Sequence, residues 1–180
     1  MLLKTKVVVL FLISLALISC KKEKARTRTS IDVYQSYTLN HKASFFNVPP
    51  SIVSIFLDES QKGNTELKDL LVDVKELSFL IVNKHSDKGK DCIYAQELSS
   101  SLDSLNFYDL AQINNGKEII RVKVEKKKRH FEELVVLVSN CDAMYCISFK
   151  GNIKPRKVVN LVKPENVVAV TNLDRFRNNL

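Results

Sequence analysis

The chain begins with its longest apolar run. Residues 7–18 are apolar except at Ser14, follow Lys4 and Lys6 without an intervening acid, and end at Ser19-Cys20. About 12 apolar residues behind a basic start is the layout of a secretory signal peptide, whereas a spanning helix needs roughly 20. From residue 21 the pattern turns charged and Ser/Thr-containing, gains aromatics only toward Phe45-Phe46, and reads as linker. Asn47-Val48-Pro49-Pro50 then ends one segment and starts another, because proline's missing N–H costs nothing in a first helical turn. Ile52, Ile55 and Phe56 share a face at helical spacing, with Val53 and Leu57 beside them, which predicts a short, largely buried helix ending near Asp58. Thr65 suits the N-cap of a second helix whose stripe is Leu67, Leu70, Leu71 and Val74.

From Lys75 the period shortens to two. Leu77, Phe79 and Ile81 alternate with Glu76, Ser78, Leu80 and Val82, so the strand is apolar on much of both faces. Residues 84–90 are polar loop, and Asp91 is placed to cap a third helix with Tyr94, Leu98, Leu102 and Leu105 on one side. The second half is β-rich. Asn115-Gly116 suits a type I′ turn, which needs positive φ at both central residues. It predicts a hairpin of strands near 107–114 and 117–126 with Ala111 opposite Ile120, and Phe107, Ile113, Val122 and Val124 on the same face. A second hairpin joins 132–138 to 144–150. Centring its turn between Cys141 and Asp142 sets Leu134, Val136 and Val138 opposite Phe149, Ile147 and Tyr145, all on one face. A slip of one residue would expose them all. Val135, Leu137 and Cys146 make the reverse face less polar than a solvated one, which points to a central position or a covered back. Asn152 and Pro155 open a last helix with Val158, Val159 and Val162 inward, and 167–170 has the pattern of a short strand.

These elements predict one α+β domain over 45–163: a two-layer sandwich, with a mostly antiparallel sheet of about five strands and helices packed on one face. Residues 1–19 are the signal peptide, 20–44 a flexible basic linker beginning at Cys20, and 164–180 a C-terminal tail. Charge changes the picture of the partner. The 180-residue chain carries a formal +8. Lys4 and Lys6 leave with the signal, and residues 20–30 hold five basic residues against Glu23, so the chain from 31 onward is only +2. The basicity belongs mainly to the linker, which argues against nucleic acid as a partner, since a binder concentrates its basic excess on the domain. A basic tether next to a membrane suits anionic headgroups.

Leu17-Ile18-Ser19-Cys20 resembles the bacterial lipobox: an aliphatic residue, a tolerated middle residue, a small residue and a cysteine. The resemblance implies diacylglycerol on the Cys20 thiol, cleavage before Cys20, and an amide-linked fatty acid such as palmitate on its new amino group. Two or more acyl chains anchor stably where one does so only marginally. Lys21, rather than an aspartate, follows the cysteine, which in similar lipoproteins favours the outer membrane; the periplasmic and surface faces stay open. Cys92, Cys141 and Cys146 remain, an odd count that argues against a disulfide framework.

A resemblance to a family follows from the order of these motifs. The lipobox, Asn47-Val48-Pro49-Pro50, Glu66-Leu67-Lys68-Asp69-Leu70-Leu71, Glu132-Glu133-Leu134-Val135-Val136-Leu137-Val138 and Ile147-Ser148-Phe149-Lys150-Gly151-Asn152-Ile153 together resemble lipoproteins of Bacteroidota grouped as domain-of-unknown-function family 4252. The resemblance covers residues 45–163 and the signal, implies an envelope location, and transfers no functional residue.

Candidate chemistry is sparse. His41, His85 and His130 lie too far apart in sequence for a local metal motif, and no Gly-x-Ser-x-Gly, Walker or dinucleotide-binding pattern occurs. No cofactor, metal ligand or catalytic residue is assigned. The clearest basic cluster is Lys126, Lys127, Lys128 and Arg129, with Arg121 and Lys123 as possible neighbours; it suits an anionic partner or a solvated turn that discourages edge pairing. The sequence supports a non-enzymatic, lipid-anchored envelope module that binds through the membrane at acylated Cys20 and to an envelope protein or anionic lipid. The alternatives are an envelope enzyme assembled from distant residues such as Cys92, His130 or the acids, and binding of anionic lipid or lipopolysaccharide through 126–129.

Overall fold

The computed structural model describes residues 28–82, 91–114, 116, 118–140 and 143–173. The signal, Cys20, the linker to residue 27, the loop at 84–90, the side chain of Cys92, Cys141 with its turn, and the tail beyond 173 lie outside the described residues. Among the described residues twelve elements follow one another: α1 (Ser30–Asn40), β1 (Ala43–Val48), α2 (Pro50–Ile55), α3 (Asn64–Leu71), β2 (Val74–Val82), α4 (Asp91–Asp103), β3 (Phe107–Asn114), β4 (Ile119–Lys127), β5 (His130–Ser139), β6 (Met144–Ile153), α5 (Pro155–Leu161) and α6 (Val168–Thr171).

The strands form one antiparallel sheet of six, ordered β1-β2-β6-β5-β4-β3. The sixth is β1, in a stretch whose pattern reads as linker. The β5–β6 register has Leu134 opposite Phe149, Val136 opposite Ile147 and Val138 opposite Tyr145, as the alternation predicts. The β3–β4 register differs by two residues: Ala111 faces Val122, and Ile113 faces Ile120. The connection is longer than a two-residue turn, with Gly116 at φ +84° and its N–H donating to Asn114 Oδ1 at 2.9 Å. A bulge between Asp109 and Ala111 also shifts the pleat, so Phe107 joins the opposite face from Val122 and Val124.

Helices cover both faces, which corrects the two-layer expectation. On the first face, α2, α3, α5 and α6 bury Val53, Leu67, Leu70, Val158, Leu161 and Val170 against Leu77, Phe79, Val122, Leu134, Val136, Ile147 and Phe149. On the second, α1 and α4 bury Val33, Tyr34, Tyr37, Leu98 and Leu102 against Leu80, Val82, Val135, Leu137, Met144 and Cys146. The physical reason lies in the central strands, which are apolar on both sides. Each buried Val or Leu is worth about 1.5–3 kcal/mol, so neither face tolerates water.

Several helical details also depart from the pattern. In α2 and the two residues after it, Val53 and Leu57 are inward while Ile52, Ile55 and Phe56 are exposed, because six residues make too short a helix to bury a broad face. The N-cap of α3 is Gly63 at φ +82°, not Thr65. A Cβ there would lie 2.3 Å from the Asn166 carbonyl oxygen. Val159 of α5 points outward, and 168–171 is helical rather than extended.

The pairing gives the sheet two distinct ends. At one, here the proximal end, β1 and β3–β6 place Val48, Phe107, Lys127, His130 and Ile153 together with the start of β2. At the distal end lie Ala43, Val82, Met144, Ser139, Ile119 and Asn114. α1 starts at the proximal end, where Ser30 contacts Glu133, and runs toward the start of β1 at the distal end.

Candidate functional site

α1 owes its start to a capping box. The Asp32 N–H donates to Thr29 Oγ1 at 3.4 Å and the Thr29 N–H to Asp32 Oδ2 at 2.7 Å. Ser30, Val33, Tyr34 and Tyr37 then fall on one buried face. α4 presents Ala95, Leu98 and Leu102 to the same core. Between the two helices, toward the distal end, runs a groove of ≈ 710 Å³ to which α1 contributes Ser36, Tyr37 and Asn40, and α4 Ile93, Gln96, Glu97, Ser100 and Ser101. His41, just past α1, completes it, its ring 4.8 Å from that of Tyr37 and 4.6 Å from that of Tyr94. The Tyr37 hydroxyl donates to the Tyr94 carbonyl at 3.0 Å. Burial, then the charge of Glu97, pushes its pKa up, so it stays a donor throughout the physiological range.

The groove's hydroxyls are not aligned for nucleophilic chemistry. Ser36 donates to the Val33 carbonyl at 2.8 Å and Ser100 to that of Gln96 at 2.9 Å, bonds that occupy their protons within the helices. Gln96 Oε1 accepts from Arg121 Nη1 at 2.6 Å. What remains is a surface of neutral donors and acceptors, one carboxylate, mutually tilted rings and the half-exposed Ile93.

Beneath α1 lies a buried carboxylate. Glu133 of β5 is 2% exposed and accepts three hydroxyl hydrogen bonds: from Ser30 at 2.6 Å, Ser148 at 2.6 Å and Tyr34 at 3.2 Å. Burial and the neighbouring Cys146 and Glu133 push the Tyr34 pKa up; burial and Glu133 do the same to the free Cys146 thiol, which is therefore inert. On the adjacent strand Lys123, with no exposed surface, pairs with Asp103 at the end of α4 (2.6 Å) and Asp109 of β3 (2.9 Å). The two helices that frame the groove are thus pinned to the sheet by buried groups of opposite charge.

The basic residues singled out by sequence sit at the proximal end. Lys126 and Lys127 close β4, and Lys128-Arg129 form the two-residue turn into β5, with Lys128 at φ +56°. All four are exposed. Lys127 Nζ bonds Glu132 Oε1 at 2.7 Å, an interaction that raises its pKa. The other three make no ion pair among the described residues.

Residues 37–161, over half the chain, match the family model described as Domain of unknown function (DUF4252). The chain belongs to this family. A search of the curated proteins finds no match. The DUF4252 match opens at Tyr37, inside α1, so two of the three donors to Glu133 lie upstream of it, while Glu133, Ser148 and the basic turn lie within it.

Within this DUF4252 chain the structure keeps 126–129 together but separates the two residues the sequence put near them. Arg121 reaches Gln96, and Lys123 is buried with its two aspartates. His130 begins β5, and no trio of His, Cys, Asp or Glu among the described residues is placed to hold a metal ion. Glu132 and Glu133 point to opposite sides, one to Lys127 and one to the hydroxyls, as neighbours on a strand must. The groove and the buried Glu133 have weaker sequence signals: Thr29-x-x-Asp32 followed by Val33, Tyr34 and Tyr37 at helical spacing.

Proposed function

We propose that this DUF4252 chain is a lipid-anchored, non-enzymatic module of the cell envelope that holds a segment of another envelope protein in the groove between α1 and α4. The observation that carries the reading is the groove itself. Its amides, Ser101 hydroxyl and ring edges suit the alternating donors and acceptors of a polypeptide backbone, Ile93 offers an apolar contact, and Glu97 favours a basic side chain. Anchoring at an acylated Cys20, in the outer membrane, is supported by the lipobox that ends the first apolar run. Because the groove lies toward the distal end, the end of α1 nearer the tether stays clear of it.

The test is a photo-crosslinking amino acid placed at Ile93 or Ser101 in living cells, with exposed Thr65 of α3 as control. The groove positions should give a discrete protein adduct that Glu97→Arg abolishes. No adduct across several growth conditions, or the same adduct from Thr65, would overturn the binding role. Mass spectrometry of the N-terminal peptide checks the anchor separately: an unacylated Cys20, or cleavage elsewhere, would remove it.

A further inference from the structure

The proximal end of the sheet gathers far more positive charge than the basic turn alone. Lys75 opens β2, Lys154 follows β6, Arg156 lies in the first turn of α5, and Arg28 immediately precedes the α1 cap. These join Lys126, Lys128 and Arg129, and all are exposed. Several acids of this end are paired, while Glu76 beside Lys75 is exposed. Glu133 is sealed under three hydroxyls, and Asp109 pairs with Lys123. Asp73 bonds the buried Lys157, and Glu132 bonds Lys127. The exposed cations of this end still outnumber its exposed acids, Glu76, Asp103 and Asp109. An exposed apolar residue, Val72 at 80% exposure, stands just ahead of β2 beside them.

A second, independent observation concerns the chain's path. Ser30 is fixed to Glu133 at this same end, so whatever precedes α1 arrives here. The ten steps of chain from Cys20 to Ser30 reach at most about 36 Å when fully extended. An anchor at Cys20 would thus keep the proximal end within reach of the bilayer. Lys128 adds a detail: a non-glycine residue held at positive φ in a two-residue turn costs about 1 kcal/mol that glycine would not, yet the position carries a charge.

We infer that the proximal end is a docking surface for an anionic lipid bilayer, on which the domain stands with its groove directed away from the membrane. The inference rests on the anchoring proposed above for its geometry, but its electrostatic part requires no acyl chain. Phosphate groups arrayed on a membrane supply the matching charge, attraction fades beyond a Debye length, and each Lys or Arg near such a surface strengthens binding about five-fold.

The experiment uses the chain from residue 20 with Cys20→Ser, which has no acyl chain; both cores close within residues 28–173. Sedimentation with vesicles of phosphatidylethanolamine and phosphatidylglycerol, the latter roughly one-third, should show binding that added salt weakens. The triple reversal Lys126→Glu, Lys128→Glu, Arg129→Glu should lower it on the order of 100-fold or more. The matched control Lys42→Glu, Lys62→Glu, Lys163→Glu alters residues that precede β1, precede α3 and follow α5, at the far ends of those elements, and should change it only a few-fold. Lys128→Gly separates function from folding: it should bind vesicles several-fold more weakly while melting no lower than the wild type. Absence of wild-type binding, equal losses in the two triple variants, or displacement by inorganic phosphate at constant ionic strength would each overturn the docking surface. A failed groove crosslink leaves these results untouched, so the two readings fail separately.

Discussion

Removing the Glu133 carboxylate should loosen α1 before anything else. The group is 2% exposed and holds three hydroxyls, two of them, Ser30 and Tyr34, on α1 and the third, Ser148, on β6. Hydrogen bonds to a charged acceptor contribute about 1.5–3 kcal/mol each, and truncation also strands the donors in a site that excludes water. The three are not additive, so Glu133→Ala is expected to cost about 3–5 kcal/mol, the range for breaking a buried charged constellation. Against a typical total of about 5–15 kcal/mol, such a variant still folds but sits near its margin. Glu133→Gln should cost only about 1–2 kcal/mol, because the serine hydroxyls can rotate to accept from the new amide.

The loss should be regional. Urea melts give the global term, while amide exchange at Val33, Tyr34 and Tyr37 should accelerate far more than at Val136 and Ile147, which lie in the other core. Alkylation of Cys146, followed by peptide mapping, offers a second readout, since that buried thiol becomes accessible only when α1 lifts. A Glu133→Ala variant that loses under about 1 kcal/mol, or whose two cores open together, would refute the role of this carboxylate as the fastening of α1.

Other consequences follow from the same geometry. Lys123→Met should stay within about 1 kcal/mol of wild type because the half-exposed Asp103 and Asp109 can resolvate, whereas Asp103→Ala with Asp109→Ala strands a buried ammonium and should cost about 3–5 kcal/mol; paired urea melts compare them. Gly151→Ala would set a Cβ 2.1 Å from the Asp73 carbonyl oxygen and should cost about 2 kcal/mol or more, while Gly116→Ala, in open space at φ +84°, should cost about 1 kcal/mol. Equal melting points for the two would argue against the close approach of β6 to residue 73. Glu125, raised by burial and then by Glu133 directly opposite and by Glu132, binds its proton more tightly folded than unfolded. Its contribution therefore falls as pH rises from the ordinary glutamate value through its raised one, and Glu125→Gln should flatten that part of a stability–pH profile. A profile unchanged by the substitution would contradict this.

The parts of the fold legible in the sequence are those where local pattern and long-range packing agree. The β5–β6 hairpin is the clearest case, because six large apolar side chains alternate about one centre and any slip exposes all of them. β3–β4 fails on a connection longer than two residues, which displaces the pairing by two, and on a bulge, a single extra residue that leaves no apolar signature yet turns Phe107 to the other face. α1 fails for a more instructive reason. Its buried stripe is Ser30, Val33, Tyr34 and Tyr37, three of the four hydroxyl-bearing, and two of those hydroxyls are required by a carboxylate about one hundred residues away. A helix that buries polar groups against a polar partner has no strong amphipathic pattern, so the partner must be known before the helix can be recognised. The basic surface repeats that logic. Residues 126–129 are contiguous and stand out, but Arg28, Lys75, Lys154 and Arg156 join them only because an antiparallel sheet returns β2, β4 and β6 to one end and Glu133 brings α1 there too. The charge of this end is a property of the topology, and the buried Glu133 is what holds the start of α1 to it.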